Sequence, residues 1–354
     1  MRIIFNKQNN DFFTTVKQRA DAYFKEHHLS KQGNWEIYWQ TATLLAIQIA
    51  LYALILSNAL SGPMLVLVFM VFGIVSGILD FKVVHDALHG AYSSKPWVNR
   101  LLGYLFDLNG TSSFVWKQSH NVVHHTYTNI PGYDHDIDKA ILLRLNPKDK
   151  LYGFHYYQNI YAFFLYPLVT ANWIFYSDYV MFYEEYKKGR VQLKDIGIFF
   201  GFKILNLILL LLLPILLLSL PVWVILFAYF CGHLAAGLSI AIVFQLAHVT
   251  ENVAYFEPDV DGHIPNNWAV HEMLTTSDFA TNNRLLFFLV GGLNFQVEHH
   301  LFPSICHVHY PALQKIVKET AQEFNLPYNE NPTFLGALKS HYLRIKRLGR
   351  TERL

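Results

Sequence analysis

The sequence is short of charge. Asp, Glu, Lys and Arg make up 15% of its 354 residues, against about 25% in an average soluble domain. That deficit argues against a disordered chain and against a soluble protein with an ordinary solvated surface. Cysteine is scarce too: Cys231 and Cys306 are too few for a disulfide framework or a zinc ribbon. There is no ferredoxin-type cysteine run and no GxGxxG nucleotide loop. Lys and Arg number 28 and Asp and Glu 26, a net charge of +2, and no global basic field points to nucleic acid. Internal repeats and low-complexity linkers are absent as well. What the chain does have is apolar bulk, 53% hydrophobic and 16% aromatic, together with 18 histidines.

The apolar residues fall in blocks at about 41–60, 63–79, 196–219 and 222–245. Each is long enough for a membrane helix, since roughly 20 residues cross a hydrocarbon core of about 30 Å. Turns at Asn58–Gly62 and Ser219–Pro221 pair them into two hairpins, and neither turn carries Lys or Arg. Lys203 is the one basic residue inside a span and is expected to snorkel to the interface. The positive-inside rule then places both termini and the long middle region in the cytosol. The polar first 40 residues argue against a cleaved signal peptide. The aromatic segment 156–182 is broken by Asn159, Pro167, Asn172 and Asp178 and reads as interfacial or packed helices, not a fifth span. Amphipathic helices are expected at 11–28 and 311–324. The fold class is therefore an all-α integral membrane protein: four spans in two hairpins with a cytosolic helical cap. Its segments are an N-terminal amphipathic stretch at 1–40, a membrane domain at 41–325 and a C-terminal tail at 326–354. A soluble core of such helices is disfavoured, because buried core helices rarely run some 20 residues without charge.

Eight histidines cluster just outside the spans. His85 and His89 stand in HDALH, where i, i+4 spacing puts both rings on one helical face. His120, His124 and His125 stand in HNVVHH. Here His120 and His124 repeat that spacing, and His125 points about 100° further round an α-helix. His299 and His300 stand in QVEHH, and His248 closes the fourth span in FQLAH. Neutral imidazole is a good ligand for iron, copper, zinc or nickel. Three or four ligands complete one zinc site, so eight suit two metals. One HxxxH pair alone reads equally well as surface or capping histidines; three clusters plus His248 on one expected face do not. A zinc protease would need Glu directly after the first His of HDALH. Asp86 stands there instead, and five further histidines would have no role.

With these motifs the chain resembles the membrane fatty acid desaturases. Three histidine boxes between two membrane hairpins are that family's signature, and WKQSHNVVHHTYTNIPGYDHDID and GGLNFQVEHHLFP match its surrounding text over roughly residues 35–325. Gln296 at the start of the third box resembles the front-end members, which add a double bond between an existing one and the carboxyl end. The resemblance implies a non-haem di-iron centre, with O2 as co-substrate and His85, His89, His120, His124, His125, His248, His299 and His300 as ligands. Two departures stand out. The second box has three residues between His120 and His124 where many relatives have two, and Gln296 stands where many relatives have His. Gln296 is read as a ligand, a group acting through water, or the edge of an open site, with Asn294 as a nearby partner. No His-Pro-Gly-Gly motif occurs, so no fused cytochrome domain is expected. The implied partners are a fatty acyl substrate (acyl-CoA or acyl-lipid), a ferredoxin- or cytochrome-type carrier and the bilayer.

Two rival functions remain at this level. A di-iron hydroxylase or ketolase of a lipid, sterol or carotenoid shares the scaffold. A non-enzymatic metal transporter or sensor would need ligands along a path within the spans, where only His233 lies deep. His233 is a functional candidate by position, although a neutral ring bonded to a neighbouring helix is the simpler account. Asp134, Asp136 and Asp138 either orient ligand imidazoles or form a solvated acidic loop. Trp35, Trp39 and Trp116 are expected as interface anchors. His271, His307 and His309 lie off the box spacing and read as structural. Lys339, Arg344, Lys346, Arg347 and Arg350 are either a docking patch for an acidic carrier or anionic lipid, or a plain solvated tail.

Overall fold

The computed structural model describes residues 3–6, 11–138 and 141–350; the remaining few residues of the expected N-terminal stretch and C-terminal tail lie outside it. Almost all regular structure is helical, relieved by two short parallel strand pairs, Ile4–Phe5 with His263–Ile264 and Asp278–Phe279 with Glu330–Asn331. Four helices are long and apolar enough to cross a membrane: Trp35–Leu56, Gly62–Leu88, Leu193–Leu217 and Val222–His248. No fifth helix of that kind occurs among the described residues. The chain divides into two compact units, one of residues 34–118 and 164–242, the other of residues 1–33, 119–163 and 243–354.

The first unit contains the helical hairpins. Its first span starts earlier than the hydropathy suggests, because Asn34 caps it by accepting a hydrogen bond from the Ile37 amide (3.2 Å). The second span runs past the expected end at residue 79, through a π-helical turn, Asp80–Val84, to Leu88. Polar residues do not stop it because they find partners: Asn109 donates to the Asp80 carboxylate (3.1 Å). The third span has a similar π segment, Ile208–Leu212, just before Pro214. Proline lacks an amide and crowds the preceding turn, and the wider turn absorbs both effects. Ile55, Leu65, Phe69, Leu210, Ile225 and Tyr229 form the shared core. The two hairpin turns are clipped together, with Asn58 Nδ2 donating to Ser219 Oγ (3.0 Å) and the Ser219 amide to Asn58 Oδ1 (2.9 Å). Residues 164–187 form short helical pieces of α, 3-10 and π type.

Second and fourth spans cross at glycine. A Cβ on Gly73 would stand 2.1 Å from the Gly232 carbonyl oxygen, a contact only glycine permits. Gly73→Ala must push the helices apart, and overpacking of this kind costs about 1–3 kcal/mol. A lowered melting temperature in detergent is the expected result. Gly201→Ala, where a Cβ meets nothing within 4 Å, is the control and should leave the melt unchanged or slightly raised.

Lys203 corrects the sequence reading. It does not snorkel: it is buried, with Nζ 2.6 Å from Asp178 Oδ2 and 2.6 Å from the Gly110 carbonyl. The Ser112 amide donates to the same Asp178 oxygen (2.8 Å). A charge inside an apolar helix is thus neutralised within the protein.

The second unit packs amphipathic helices. Asp11–Glu26 and Tyr310–Glu323 form close to the expected bounds. Phe12, Val16, Ala20 and Phe24 recur every four residues along the first and bury against a core that includes Leu313, Val317 and Ala321 of the second. Arg19 joins the two by a forked bond to Glu323 (2.8 and 2.7 Å). The basic C-terminal stretch forms the helix Phe334–Leu348 and uses much of its charge locally. Arg344 is buried over the Tyr255 ring, Arg347 pairs with Glu251 (2.8 Å), and Arg350 lies over Tyr156. Arg144 is buried and donates to the Leu348 and Pro147 carbonyls.

Candidate metal centre

The first box lies in the unit of the hairpins. His85 and His89 end the second span with ring centroids 4.7 Å apart, as the i, i+4 spacing requires. Both meet Trp116 edge-on, at 5.6 and 5.5 Å, within a core of Val84, Leu88 and Phe106. Trp116 is therefore not the expected interface anchor, being 9% exposed, whereas Trp35 and Trp39 are 76% and 64% exposed and stack on each other.

The other two boxes and His248 lie in the second unit. The second box departs from an α-helix: Lys117–His124 is π-helical. Its hydrogen bonds run i→i+5, so residues four and five apart share a face. Instead of pointing away, His125 approaches His120 with Nε2 atoms 3.2 Å apart, while His120 and His124 lie 5.1 Å apart by ring centroids. The extra residue in this box is thereby absorbed by the backbone, and all three rings reach one cluster.

Within this unit the candidate ligand atoms fall into overlapping groups, each with its atoms within 4.8 Å of one another: His124, His248 and His300; His125, His299 and His300; and His120, His124 and Asp136. All six histidines are buried. Four of these rings, those of His124, His248, His299 and His300, are held through Nδ1. His124 Nδ1 donates to Asp134 (3.1 Å to each oxygen), His300 Nδ1 to Glu272 Oε2 (2.8 Å), His299 Nδ1 lies 3.1 Å from the Tyr310 hydroxyl, and His248 Nδ1 lies 3.4 Å from the Thr275 carbonyl. The Nε2 atoms of His124 and His248 are buried with no hydrogen-bond partner among the described residues. A ring fixed at one nitrogen, with the other turned into a cluster of imidazoles, is the arrangement a metal ligand needs. The donor set, mainly neutral nitrogen, fits a transition metal.

Burial works against a charged His124, but the Asp134 carboxylate outweighs it and raises the imidazole to about 9. Burial likewise opposes ionisation of Asp134, yet the His124 charge and hydrogen bonds bring it down to about 2. The Asp134 carboxylate on Nδ1 therefore favours positive charge on the His124 ring.

Of the acidic residues after the second box, Asp134 is fully buried and orients His124, and Asp136 lies 3.5 Å from the same ring. Asp138 instead accepts from the Gly132 amide and Asn146 and shapes the loop. Gln296 donates to the Leu293 carbonyl (2.7 Å), and its side chain lies against His248. Asn294 donates weakly to Ala280 (3.4 Å), with Oδ1 buried and unbonded among the described residues. His271 donates to the Thr128 carbonyl (2.7 Å) and His341 to that of Val249 (2.7 Å). Burial lowers each of these two to about 4, so both are neutral structural histidines.

Three supporting residues were not legible in the motifs. Glu272, fully buried, holds His300 and accepts from Thr128 Oγ1 (2.9 Å). Its one sequence signal is that it is the sole acid in the helix Trp268–Thr275. Tyr310 holds His299. Asn129, at φ 55°, donates to the carbonyls of His248, Ala254 and Thr275 and so ties the end of the fourth span to the cluster.

The sequence matches the profile described as fatty acid desaturase over residues 61–332. An sn-1 linoleoyl-lipid 6-desaturase of Synechocystis sp. is 37% identical over 97% of both chains. The protein of the same name from Arthrospira platensis is 35% identical, over 95% of this chain and 92% of the relative. An acyl-lipid (8-3)-desaturase of Physcomitrium patens is 34% identical, over 98% of this chain and 73% of the relative.

Proposed function

The chain belongs to the fatty acid desaturase family, and from that membership we propose that it inserts a double bond between an existing one and the carboxyl end of a lipid-bound acyl chain. The observation that carries this reading is the buried set of imidazoles anchored through Nδ1 by Asp134, Glu272 and Tyr310. The proposed ligands are His120, His124, His125, His248, His299 and His300, with His85 and His89 of the first box; Gln296 and Asn294 are placed as ligand or supporting groups. Two irons bound there would supply the dioxygen chemistry that removes hydrogen from unactivated methylenes. The protein's part is to hold the imidazoles in one tautomer, to keep water from the buried cluster and to fix the acyl chain. The overall change is R–CH2–CH2–R′ + O2 + 2 e− + 2 H+ → R–CH=CH–R′ + 2 H2O, with the electrons delivered by a separate ferredoxin- or cytochrome-type carrier. Both termini and the boxes are placed on the cytosolic side, because Lys and Arg avoid both hairpin turns. The sn-1 linoleoyl-lipid 6-desaturase relatives support an acyl-lipid substrate with a double bond already present.

The test is expression in a host that makes linoleoyl lipids and an electron donor, followed by mass spectrometry of the acyl chains with double-bond location. A new double bond on the carboxyl side of the existing ones is expected. A hydroxylated chain with no new double bond would overturn the reading in favour of a hydroxylase.

A further inference from the structure

A metal centre built of histidines carries a charge problem. Neutral imidazoles bring no negative charge to offset the cations they bind, and these imidazoles are buried. Uncompensated charge away from water is costly. Within the unit of residues 1–33, 119–163 and 243–354, two carboxylates that are themselves fully buried touch the rings: Asp134 on His124 and Glu272 on His300. Of the two histidines, His300 alone belongs both to the group with His124 and His248 and to the group with His125 and His299.

We infer that Glu272 is a positioning residue for the metal centre, fixing His300 where the two groups meet. The inference rests on the reading of the site as a metal centre. The geometry is specific. Glu272 Oε2 receives the His300 Nδ1 proton at 2.8 Å and the Thr128 hydroxyl at 2.9 Å. That bond commits Nδ1, so His300 offers one donor atom, Nε2, in a single tautomer and cannot bridge two metals through both nitrogens. The backbone also places the carboxylate. Glu272 lies on the helix Trp268–Thr275, whose N-terminus is capped by Asn267 accepting from the Val270 amide (3.0 Å). Trp268 Nε1 of the same helix donates to the His125 carbonyl (3.0 Å). One short helix therefore grips the second box through Trp268 and the third box through Glu272.

The test compares wild type, Glu272→Leu, Glu272→Gln and Thr128→Val, each purified in detergent, loaded anaerobically with ferrous iron and freed of excess. Bound iron per chain and its release to a ferrous chelator are read alongside circular dichroism, which reports the fold independently of activity. Iron release from Glu272→Leu is expected to be 10–100-fold faster than from wild type, the range typical of lost outer partners, with helix content retained. Glu272→Gln keeps an acceptor for Nδ1–H but not the charge and should fall between the two. It carries the test if the leucine variant does not fold. Thr128→Val removes the other bond to Glu272 but leaves the carboxyl on His300, and should release iron faster than wild type but well below the Glu272→Leu rate. Wild-type release rates in both Glu272 variants, or equally fast release from Thr128→Val, would overturn the inference alone. A wild-type chain that retains no iron would overturn it together with the metal-centre reading.

Discussion

Replacing His300 with alanine abolishes double-bond formation, taking the product below detection by mass spectrometry, while the chain still reaches the membrane fraction. The effect is expected to be as large as that of any single histidine in the second unit. His300 supplies a candidate ligand to two of the overlapping groups, and its removal leaves the Glu272 carboxylate buried without the imidazole that it faces at 2.8 Å. An orphaned buried acceptor costs about 1–3 kcal/mol, and more when charged, so the loss extends beyond one ligand to the local structure that orders the third box. His271→Ala is the matched comparison. That ring is just as buried, but it bonds to the Thr128 backbone and belongs to no ligand group among the described residues. It should lose stability and keep measurable product. Undiminished product from His300→Ala, or equal loss from both variants at equal membrane abundance, would show that the ligand set is wrong.

Lys203→Met is expected to be the most damaging substitution outside the boxes. The Lys203–Asp178 pair is buried in the unit of the hairpins at 2.6 Å, and Asp178 also takes the Ser112 amide. Removing one partner of a buried pair strands the other charge, at about 3–5 kcal/mol, whereas replacing both with apolar groups of similar size is often neutral. The melting temperature in detergent should therefore fall sharply for Lys203→Met and recover most of the way in Lys203→Met with Asp178→Leu. If the double variant melts no higher than the single one, the pair is not what holds the third span to Gly110 and Ser112.

The Lys203 example shows where the sequence stopped being readable. Its position in a span was plain, and snorkelling is what a lone basic residue near a helix end ordinarily does. The outcome depended on Asp178, 25 residues away, and on the Gly110 carbonyl, 93 residues away, and no periodicity reports such pairings. Trp116 is similar. Tryptophan beside a membrane span reads as an anchor, but the fold turned this ring onto His85 and His89. The second box differs in kind. An extra residue in HNVVHH changes the phase of an α-helix, and the π-helical turn at Lys117–His124 removed the conflict. Backbone hydrogen-bond type is decided by the surrounding packing, not by the six residues alone.

What the sequence determined by itself was everything set by local composition and short spacing. Four apolar runs of membrane length had to be helices, because only internal hydrogen bonding satisfies their backbone in lipid. The amphipathic helices at Asp11–Glu26 and Tyr310–Glu323 followed from apolar residues every three or four positions, and the boxes marked which imidazoles to suspect. The tertiary structure alone decided which imidazoles share a group and what holds each ring. Glu272 and His300 lie 28 residues apart, and Thr128 is 144 residues from Glu272. A metal ligand is made by the second nitrogen of the ring as much as by the first, and the partner of that second nitrogen is chosen by long-range packing.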